Sequence, residues 1–144
     1  VENTSSNEIH DFTVYPLEGV WKLKGTAAKS ADSKLIKENL EYTVMIRQPD
    51  FITSEMVCAA LEKIKKKKPN RLYEKIIFDT IHDGKCVEIL HIGPYDNEPS
   101  SFEQMDKFAE ENGLQRISDC HREIYLTNRT KADRLKTILR YKVK

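Results

Sequence analysis

The segment from residue 121 to residue 127 holds the side chains whose types and spacing best suit chemistry. Its composition predicts a β-strand, in which successive side chains alternate between two faces. Glu123 and Tyr125 therefore share a face with His121, while the residues between them point the other way. An ionised carboxylate is costly to bury without a partner. Glu123 is thus expected either to face water on a half-buried strand or to be buried for binding or catalysis.

Aromatic residues recur along the predicted strands and at their ends. Each of them alone is typical of core packing. Together with Glu123 they suit a concave pocket with aromatic walls and one carboxylate that orients a flat ligand, including a cationic one. The residues in question are Tyr15, Trp21, Tyr42, Phe51, Tyr95, Tyr125 and Tyr141.

Other common chemistries lack their signatures. The candidate metal ligands Cys86, His91, Cys120 and His121 show no CxxC or HExxH spacing, so no metal site is predicted. There is no GxSxG elbow for a serine nucleophile, and no glycine-rich loop for phosphate or a dinucleotide. No cofactor is expected.

Composition limits the protein class. A chain of 144 residues fits one domain, 1–144, and a net charge of +1 argues against direct nucleic-acid binding. The lysines at positions 65–68 are explained by the end of a helix, where cations complement the helix dipole. No apolar run approaches the roughly 20 residues of a membrane span, and no signal peptide is visible. The three scattered cysteines are typical of a cytoplasmic protein with reduced thiols.

The hydrophobic pattern predicts alternating strands and helices. A polar connection over 26–38 and a loop over 1–10 are expected, and an Asp83-Gly84 turn predicts a hairpin. The first helix is expected to be capped by Thr53 or Ser54, and the second to start behind Ser100 with Glu103 completing a capping box. Strands are predicted over 12–23 (interrupted at Pro16 and Gly19), 40–48, 73–82, 85–92, 121–127 and 136–143, and helices over about 54–68 and 101–112.

This order predicts an α+β fold with an antiparallel sheet. Residues 85–143 form a β-α-β-β module, and a preceding module is expected to end around 42–82 in the same order. The buried stripe of the first helix is predicted to contain Val57, Ala60, Leu61 and Ile64. In the second helix, Gly113 is expected to terminate the helix in a left-handed conformation.

Several motifs together resemble the GyrI-like small-molecule-binding family, in particular its stand-alone bacterial members. The motifs are VYPLEGVW (14–21), YTVMIRQPDF (42–51), KKKPN (66–70), DGKCVEILHIGPYDNEP (83–99) and HREIYL with LKTILRYKVK (121–144). The resemblance implies a pseudo-twofold pair of β-α-β-β units, with two helices on one face of the sheet and a central ligand cleft. The same module is the effector-binding domain of drug-responsive regulators of the AraC and MerR types.

The resemblance also implies the site residues. It places Glu123 at the bottom of the cleft with Tyr125 beside it, and Trp21, Tyr42 and Tyr95 in the lining. Phe51 is added because it lies in the QPDF turn. Some stand-alone members hydrolyse cyclopropane-bearing, DNA-alkylating natural products.

One departure from the family pattern concerns the beginning of the chain. Relatives usually carry a strand and a long helix before the VYPLEGxW motif, and only VENTSSNEIH precedes it here. A sheet edge and an apolar face are therefore expected to be uncovered unless a missing N-terminal segment or a second copy in a homodimer covers them.

Three functions follow as hypotheses. The first is binding of a flat, hydrophobic, drug-like molecule for xenobiotic sensing or sequestration. The second is hydrolysis of a strained ring, in which Glu123 acts as a general base or positions water and Tyr125 donates to the developing oxyanion. In that case, aromatic surroundings are expected to raise the pKa of Glu123. The third is a protein–protein module that uses the uncovered sheet edge.

Overall fold

The computed structural model describes residues 11–23, 40–127 and 129–144. The predicted N-terminal loop and the whole connection over 26–38 lie outside these ranges. The strands are β1 (Leu17–Leu23), β2 (Leu40–Ile46), β3 (Cys86–Ile92), β4 (His121–Tyr125) and β5 (Lys136–Lys142), and the helices are α1 (Ser54–Lys67) and α2 (Glu98–Glu111). Short 3₁₀ turns occupy Arg71–Lys75, Tyr95–Asn97 and Ala132–Arg134. The α+β class predicted from the sequence is confirmed.

The five strands of the described ranges form one antiparallel sheet in the order β2-β1-β4-β5-β3. β4 lies at its centre and pairs with β1 on one side and β5 on the other. In this register Gly19 and Leu139 flank Glu123, so these three residues project from the same face of the sheet. The module β3-α2-β4-β5 matches the one predicted over 85–143.

The chain divides into two compact units. One is formed by the described part of Val1–Tyr15 together with Gln48–Thr80, and it contains α1. The other is formed by the described parts of Pro16–Arg47 and Ile81–Lys144, and it contains the sheet and α2.

The core of the second unit lies where α2 covers β3 and β5. α2 contributes Met105 and Ala109, and β5 contributes alternate residues, as a strand with one buried face must. Buried core residues are Val87, Met105, Ala109, Leu139, Tyr141 and Val143. The hydroxyl of Tyr141 donates to Asp106 on α2 at 2.8 Å, which adds a polar contact to this interface.

A buried histidine fixes the beginning of α2 on the sheet. His91 in β3 is 4% exposed, and its Nε2 donates to the carbonyl of Pro94 at 2.9 Å. Its Nδ1 shares a hydrogen bond of 2.7 Å with the hydroxyl of Ser101 in the first turns of α2. Both ring nitrogens are thereby satisfied, and the helix start is held next to β3 and β4.

The face of the sheet that points away from α2 carries a network of ion pairs. Arg122 and Arg140 are directly paired across β4 and β5, where two like charges would repel each other. Asp83 separates them, with its carboxylate 2.8 Å from Arg122 and 3.1 Å from Arg140. On β3, Glu88 binds Arg140 at a distance of 2.8 Å.

The predicted hairpin at Asp83-Gly84 is wrong. Gly84 has the expected positive φ of 65°, but residues 76–82 form no strand. The side chain of Asp83 is used by the two arginines, and β3 pairs only with β5 among the described strands. The preceding β-α-β-β module expected around 42–82 therefore does not form either.

Three further predictions need correction. β1 begins after Pro16 and continues through Gly19 without interruption, because Gly19 pairs on both sides of the strand. The stripe predicted for α1 is at most half-buried, and no residue of this helix is buried. The second helix starts at Glu98, before Ser100. The cap of α1 by Thr53 is confirmed, as is the left-handed Gly113 after α2 with a φ of 66°.

Among the strands that the structure describes, β2 and β3 lie at the edges of the sheet. On β2, Tyr42, Val44 and Ile46 share a face and remain 62%, 55% and 44% exposed. This agrees with the expected open apolar surface; what covers it stays a prediction. Within the described part of the chain, neither helix has the length and apolar character that crossing a membrane requires.

Candidate functional site

The centre of β4 holds a buried carboxylate inside a hydrogen-bonded group. Glu123 is 7% exposed. Its Oε1 accepts a bond of 2.8 Å from His121 Nε2, and its Oε2 accepts a bond of 2.6 Å from the Tyr125 hydroxyl. Strand alternation puts the three side chains on one face, as the sequence predicted. Glu123 is therefore buried and does not face water, while its role in binding or catalysis stays a prediction.

The hydroxyl of Tyr125 links the carboxylate to β1. It accepts a hydrogen bond of 3.0 Å from the indole Nε1 of Trp21. Gly19 leaves the space for this contact, since a Cβ there would come within 2.8 Å of the indole nitrogen and 3.3 Å of the phenol oxygen. Trp21, Tyr125 and Glu123 thus form a continuous chain of hydrogen bonds across two strands.

A second glutamate, which the sequence analysis did not select, completes the group. Glu98 is the first residue of α2 and is 8% exposed, and its carboxyl lies against that of Glu123. One of its oxygens, Oε1, is buried and has no hydrogen-bond partner among the described residues. We call Glu98, His121, Glu123, Tyr125 and Trp21 the Glu123 cluster.

Glu98 was missed because the helix start was placed too late. Ser100 and Glu103 fit a capping box, but α2 begins at Glu98 with Asn97 as its N-cap residue. The hydroxyl of Ser100 donates to the carbonyl of Asn97 at 2.8 Å instead of capping the helix. Pro99 was the available signal, because proline is favoured in the first turn of a helix.

The two carboxyl groups have opposite electrostatic behaviour. Burial works to raise the pKa of Glu123, but the hydrogen bonds from His121 and Tyr125 outweigh it and lower this pKa. The predicted raised pKa of Glu123 is therefore wrong. Burial, together with the charge of Glu123, instead raises the pKa of Glu98 to about 8. The pair therefore favours a proton on Glu98 and the negative charge on Glu123.

The two tyrosines next to the carboxylate remain neutral. Burial first, and then the bond to Glu123, raise the pKa of Tyr125 above its usual value. Burial and the charge of Glu123 also raise the pKa of Tyr95. The Tyr125 proton points at Glu123, so this hydroxyl can donate to a ligand only after it leaves the carboxylate.

Aromatic rings surround the cluster on several sides. Tyr95 meets Tyr125 edge-on at 6.1 Å, and Tyr42 packs against Trp21 at 5.1 Å between ring centroids. Tyr95 is 45% exposed, so its ring offers free surface next to a buried charge. Phe102 of α2 packs edge-on against His121 at 4.7 Å.

Not every predicted lining residue belongs to this group. Trp21, Tyr42, Tyr95 and Tyr125 lie together in the second unit, in agreement with their predicted neighbourhood. Phe51 belongs to the first unit, where its ring contacts Phe12 at 5.7 Å. Its role in ligand binding stays a prediction.

A separate surface cavity of about 580 Å³ lies between β3 and the start of α2. Among the described residues its lining is mixed and contains no Phe, Tyr or Trp side chain, and Glu123 does not contribute to it. The cavity therefore does not contain the charge and the rings that make the Glu123 cluster distinctive. It is lined by residues 89–92, Asp96, Asn97, residues 99–101 and Gln104.

Comparison with known proteins gives a consistent result. The family model of the GyrI-like small molecule binding domain matches residues 4–142. No curated protein matches the chain. A crystal structure of an uncharacterized conserved protein from Listeria innocua superimposes with a TM-score of 0.85 and 32% identity, over 99% of this chain and 70% of that one.

Two crystal structures of hydrolases from the same organism are also similar. They have TM-scores of 0.79 and 0.80 and identities of 31% and 32%, each over 93% of this chain. This chain covers 64% and 65% of their respective lengths. It therefore spans roughly two thirds of the proteins it resembles.

Proposed function

Because this chain belongs to the family of GyrI-like small molecule binding domains, we propose that its Glu123 cluster binds a flat, hydrophobic ligand that carries a positive charge. The observation that supports this most is the carboxyl group of Glu123, which is only 7% exposed and bordered by aromatic rings. A buried carboxylate favours a cation, and the rings supply apolar and cation–π contacts. Binding of this kind serves sensing or sequestration of a xenobiotic.

The charges around the cluster favour a cationic ligand over an anionic one. Glu123 already accepts two hydrogen bonds, from His121 and Tyr125, so an anion would meet a carboxylate without a free donor between them. A cation over the face of Tyr95 would instead gain about 0.5–2 kcal/mol from the ring as well as the attraction of the carboxylate. Apolar contacts with the other rings and the attraction of the carboxylate add to this gain, and together they approach the roughly 8 kcal/mol of micromolar affinity.

Two dyes with the same flat xanthene skeleton test the charge argument. Rhodamine 6G is cationic and fluorescein is anionic, and binding of either can be followed through the fluorescence of Trp21, the only tryptophan of the chain. We expect micromolar binding of rhodamine 6G and at least tenfold weaker binding of fluorescein. Equal affinities for the two dyes would refute a role for the carboxylate.

A pair of matched variants tests whether the charge of Glu123 is responsible for binding of the cationic dye. Glu123→Gln keeps the shape of the side chain but removes the charge, and we expect it to weaken rhodamine 6G binding about tenfold, or about 1.4 kcal/mol. Glu41→Gln removes the same charge from an exposed position on the other face of the sheet, and binding should not change. Equal affinity of the wild type and Glu123→Gln would contradict the proposal.

The second candidate is a hydrolase, and the observation that favours it is the similarity to two proteins described as hydrolases. Here Glu123, held ionised by its two hydrogen bonds, acts as a general base or positions a water molecule. Tyr125 turns from the carboxylate to donate to the developing oxyanion. The substrate class is a cyclopropane-bearing, DNA-alkylating natural product, whose strained ring is opened.

Turnover separates the two candidates. Incubation of such an alkylator with the protein, followed by chromatography and mass spectrometry, should show a product heavier by one water. Glu123→Gln should abolish this product while the dye is still bound, only less tightly. Dye binding without any turnover would leave the binding function and refute hydrolysis of that substrate.

A further inference from the structure

The carboxyl group of Glu98 has more capacity for partners than its surroundings use. The residue is only 8% exposed, and its Oε1 has no hydrogen-bond partner among the described residues. Buried polar atoms without partners are rare in folded proteins, and such an oxygen is well suited to bind an ion. Glu98 sits at the first position of α2 and is held there by the hydrogen bonds of His91 to Pro94 and Ser101.

Three potential metal ligands meet at this point. Glu98, His121 and Glu123 each offer one ligand atom, and these atoms lie within 4.8 Å of one another. In a tetrahedral zinc site with bonds of about 2.0–2.2 Å, ligand atoms are about 3.4 Å apart, so small side-chain movements are enough. Two of these ligands come from β4 and the third from α2. No sequence spacing indicates this set, because Glu98 lies on α2 and the other two ligands lie on β4.

The chemistry of the three ligands selects the kind of cation. One imidazole nitrogen and two carboxylates suit zinc and similar divalent transition metals, whereas magnesium prefers six oxygen ligands. The buried Oε1 of Glu98 has no hydrogen-bond partner among the described residues, and a divalent cation at this point gives it one.

The surroundings also provide the outer contacts that metal sites require. The Tyr125 hydroxyl binds Glu123 Oε2 at 2.6 Å, which leaves Oε1 to turn from His121 to a cation. Phe102 packs edge-on against the ring of His121 and limits its orientation. Such contacts orient metal ligands in known sites.

We propose that Glu98, His121 and Glu123 bind one divalent transition-metal cation, with zinc as the fitting example. The three side chains leave a fourth coordination position for water or for an atom of a ligand. This goes beyond the binding of an organic molecule and does not depend on it, because the cation needs only these three residues.

Calorimetric titration tests the site directly. The protein is first treated with EDTA, dialysed, and titrated with zinc chloride and, separately, with magnesium chloride. We expect one zinc ion per chain at micromolar or tighter affinity and no binding of magnesium at the same concentrations. No zinc binding, or equal binding of magnesium, would overturn the proposal.

Variants connect the binding to these residues. Glu98→Gln should weaken zinc binding at least about 30-fold, since one ligand is lost. His82→Gln, which removes an exposed histidine, should change it less than twofold. The thiols of Cys58, Cys86 and Cys120 are present in all of these proteins, so equal affinity of wild type and Glu98→Gln would assign the zinc to other ligands and refute the site.

A crystal of the wild-type protein soaked in zinc gives an answer that does not rely on variants. An anomalous peak between Glu98, His121 and Glu123 is expected, and its absence there would refute the site. The dye titration with EDTA-treated protein remains independent. Loss of zinc binding with intact dye binding would remove this inference alone, and the reverse would remove the proposed ligand alone.

Discussion

Removal of the Tyr125 hydroxyl should destabilise the protein more than its exposure suggests. In Tyr125→Phe the ring remains and can still meet Tyr95, but two hydrogen bonds disappear. Glu123 loses its donor at 2.6 Å, and Trp21 Nε1 loses its acceptor at 3.0 Å. The variant therefore isolates the polar link between β1 and β4.

The magnitude follows from the two bonds. A hydrogen bond to a charged group contributes about 1.5–3 kcal/mol and a neutral one about 1 kcal/mol. The side chain is only half-buried, so water can replace part of both contacts. We expect the free energy of unfolding to fall by about 2–3 kcal/mol.

Urea unfolding measures this change with two probes. Far-ultraviolet circular dichroism follows the backbone, and the fluorescence of Trp21 follows the site itself. The native emission of Trp21 should also shift, because its indole N–H exchanges a fixed acceptor for water. The slope of the free energy against urea concentration should remain that of the wild type.

Tyr42→Phe is the matched control. It keeps the ring that packs on Trp21 and removes a hydroxyl for which no hydrogen bond is observed in the described part of the chain. We expect a change within about 0.5 kcal/mol. If Tyr125→Phe and Tyr42→Phe were equally stable, the hydrogen-bonded link from Trp21 to Glu123 would not hold the two strands together.

Three further predictions concern other parts of the second unit. Asp83→Asn leaves Arg122 and Arg140 adjacent without their shared carboxylate, and urea unfolding should show a loss of about 2 kcal/mol; no loss would mean that water screens the two arginines. Burial and a carboxylate partner raise the pKa of Tyr141 to about 12, so the stability contributed by its neutral form is complete below pH 10 and is lost as the pH rises towards 12. The stability of the wild type relative to Tyr141→Phe should accordingly fall over this range, and an unchanged difference at pH 9 and pH 12 would contradict the assignment. Gly19→Ala should weaken rhodamine 6G binding and cost about 1–3 kcal/mol of stability, because its Cβ would lie 2.8 Å from the indole nitrogen; unchanged binding and stability would show that the site can expand.

The alternation within β4 was the most reliable guide to the site. It predicted from the sequence alone that His121, Glu123 and Tyr125 share one face, because a strand has a fixed period of two. The pKa of Glu123 could not be predicted in the same way. This pKa depends on which donors reach the carboxylate. The decisive donors are His121 and Tyr125, each two positions away on the same strand.

Local sequence patterns gave wrong predictions where contacts with residues distant in the sequence determine the structure. Asp83-Gly84 has the composition of a hairpin turn, yet Asp83 binds arginines that are 39 and 57 positions away in the sequence. Glu98 was likewise hidden, since its importance comes from β4 and not from its own helix. A sequence pattern describes the period of an element, whereas partners at this distance emerge only from the assembled sheet.

The two faces of β4 carry incompatible side chains, and this has a consequence for folding. A shift of β4 by one residue against β1 and β5 would turn Arg122 towards the aromatic rings and Glu123 towards Asp83. Such a misaligned strand would separate Arg122 from Asp83 and place the carboxylate of Glu123 next to that of Asp83. The same residues that make this strand suitable for ligands thus favour its correct register. Incorrectly paired forms should be short-lived during refolding.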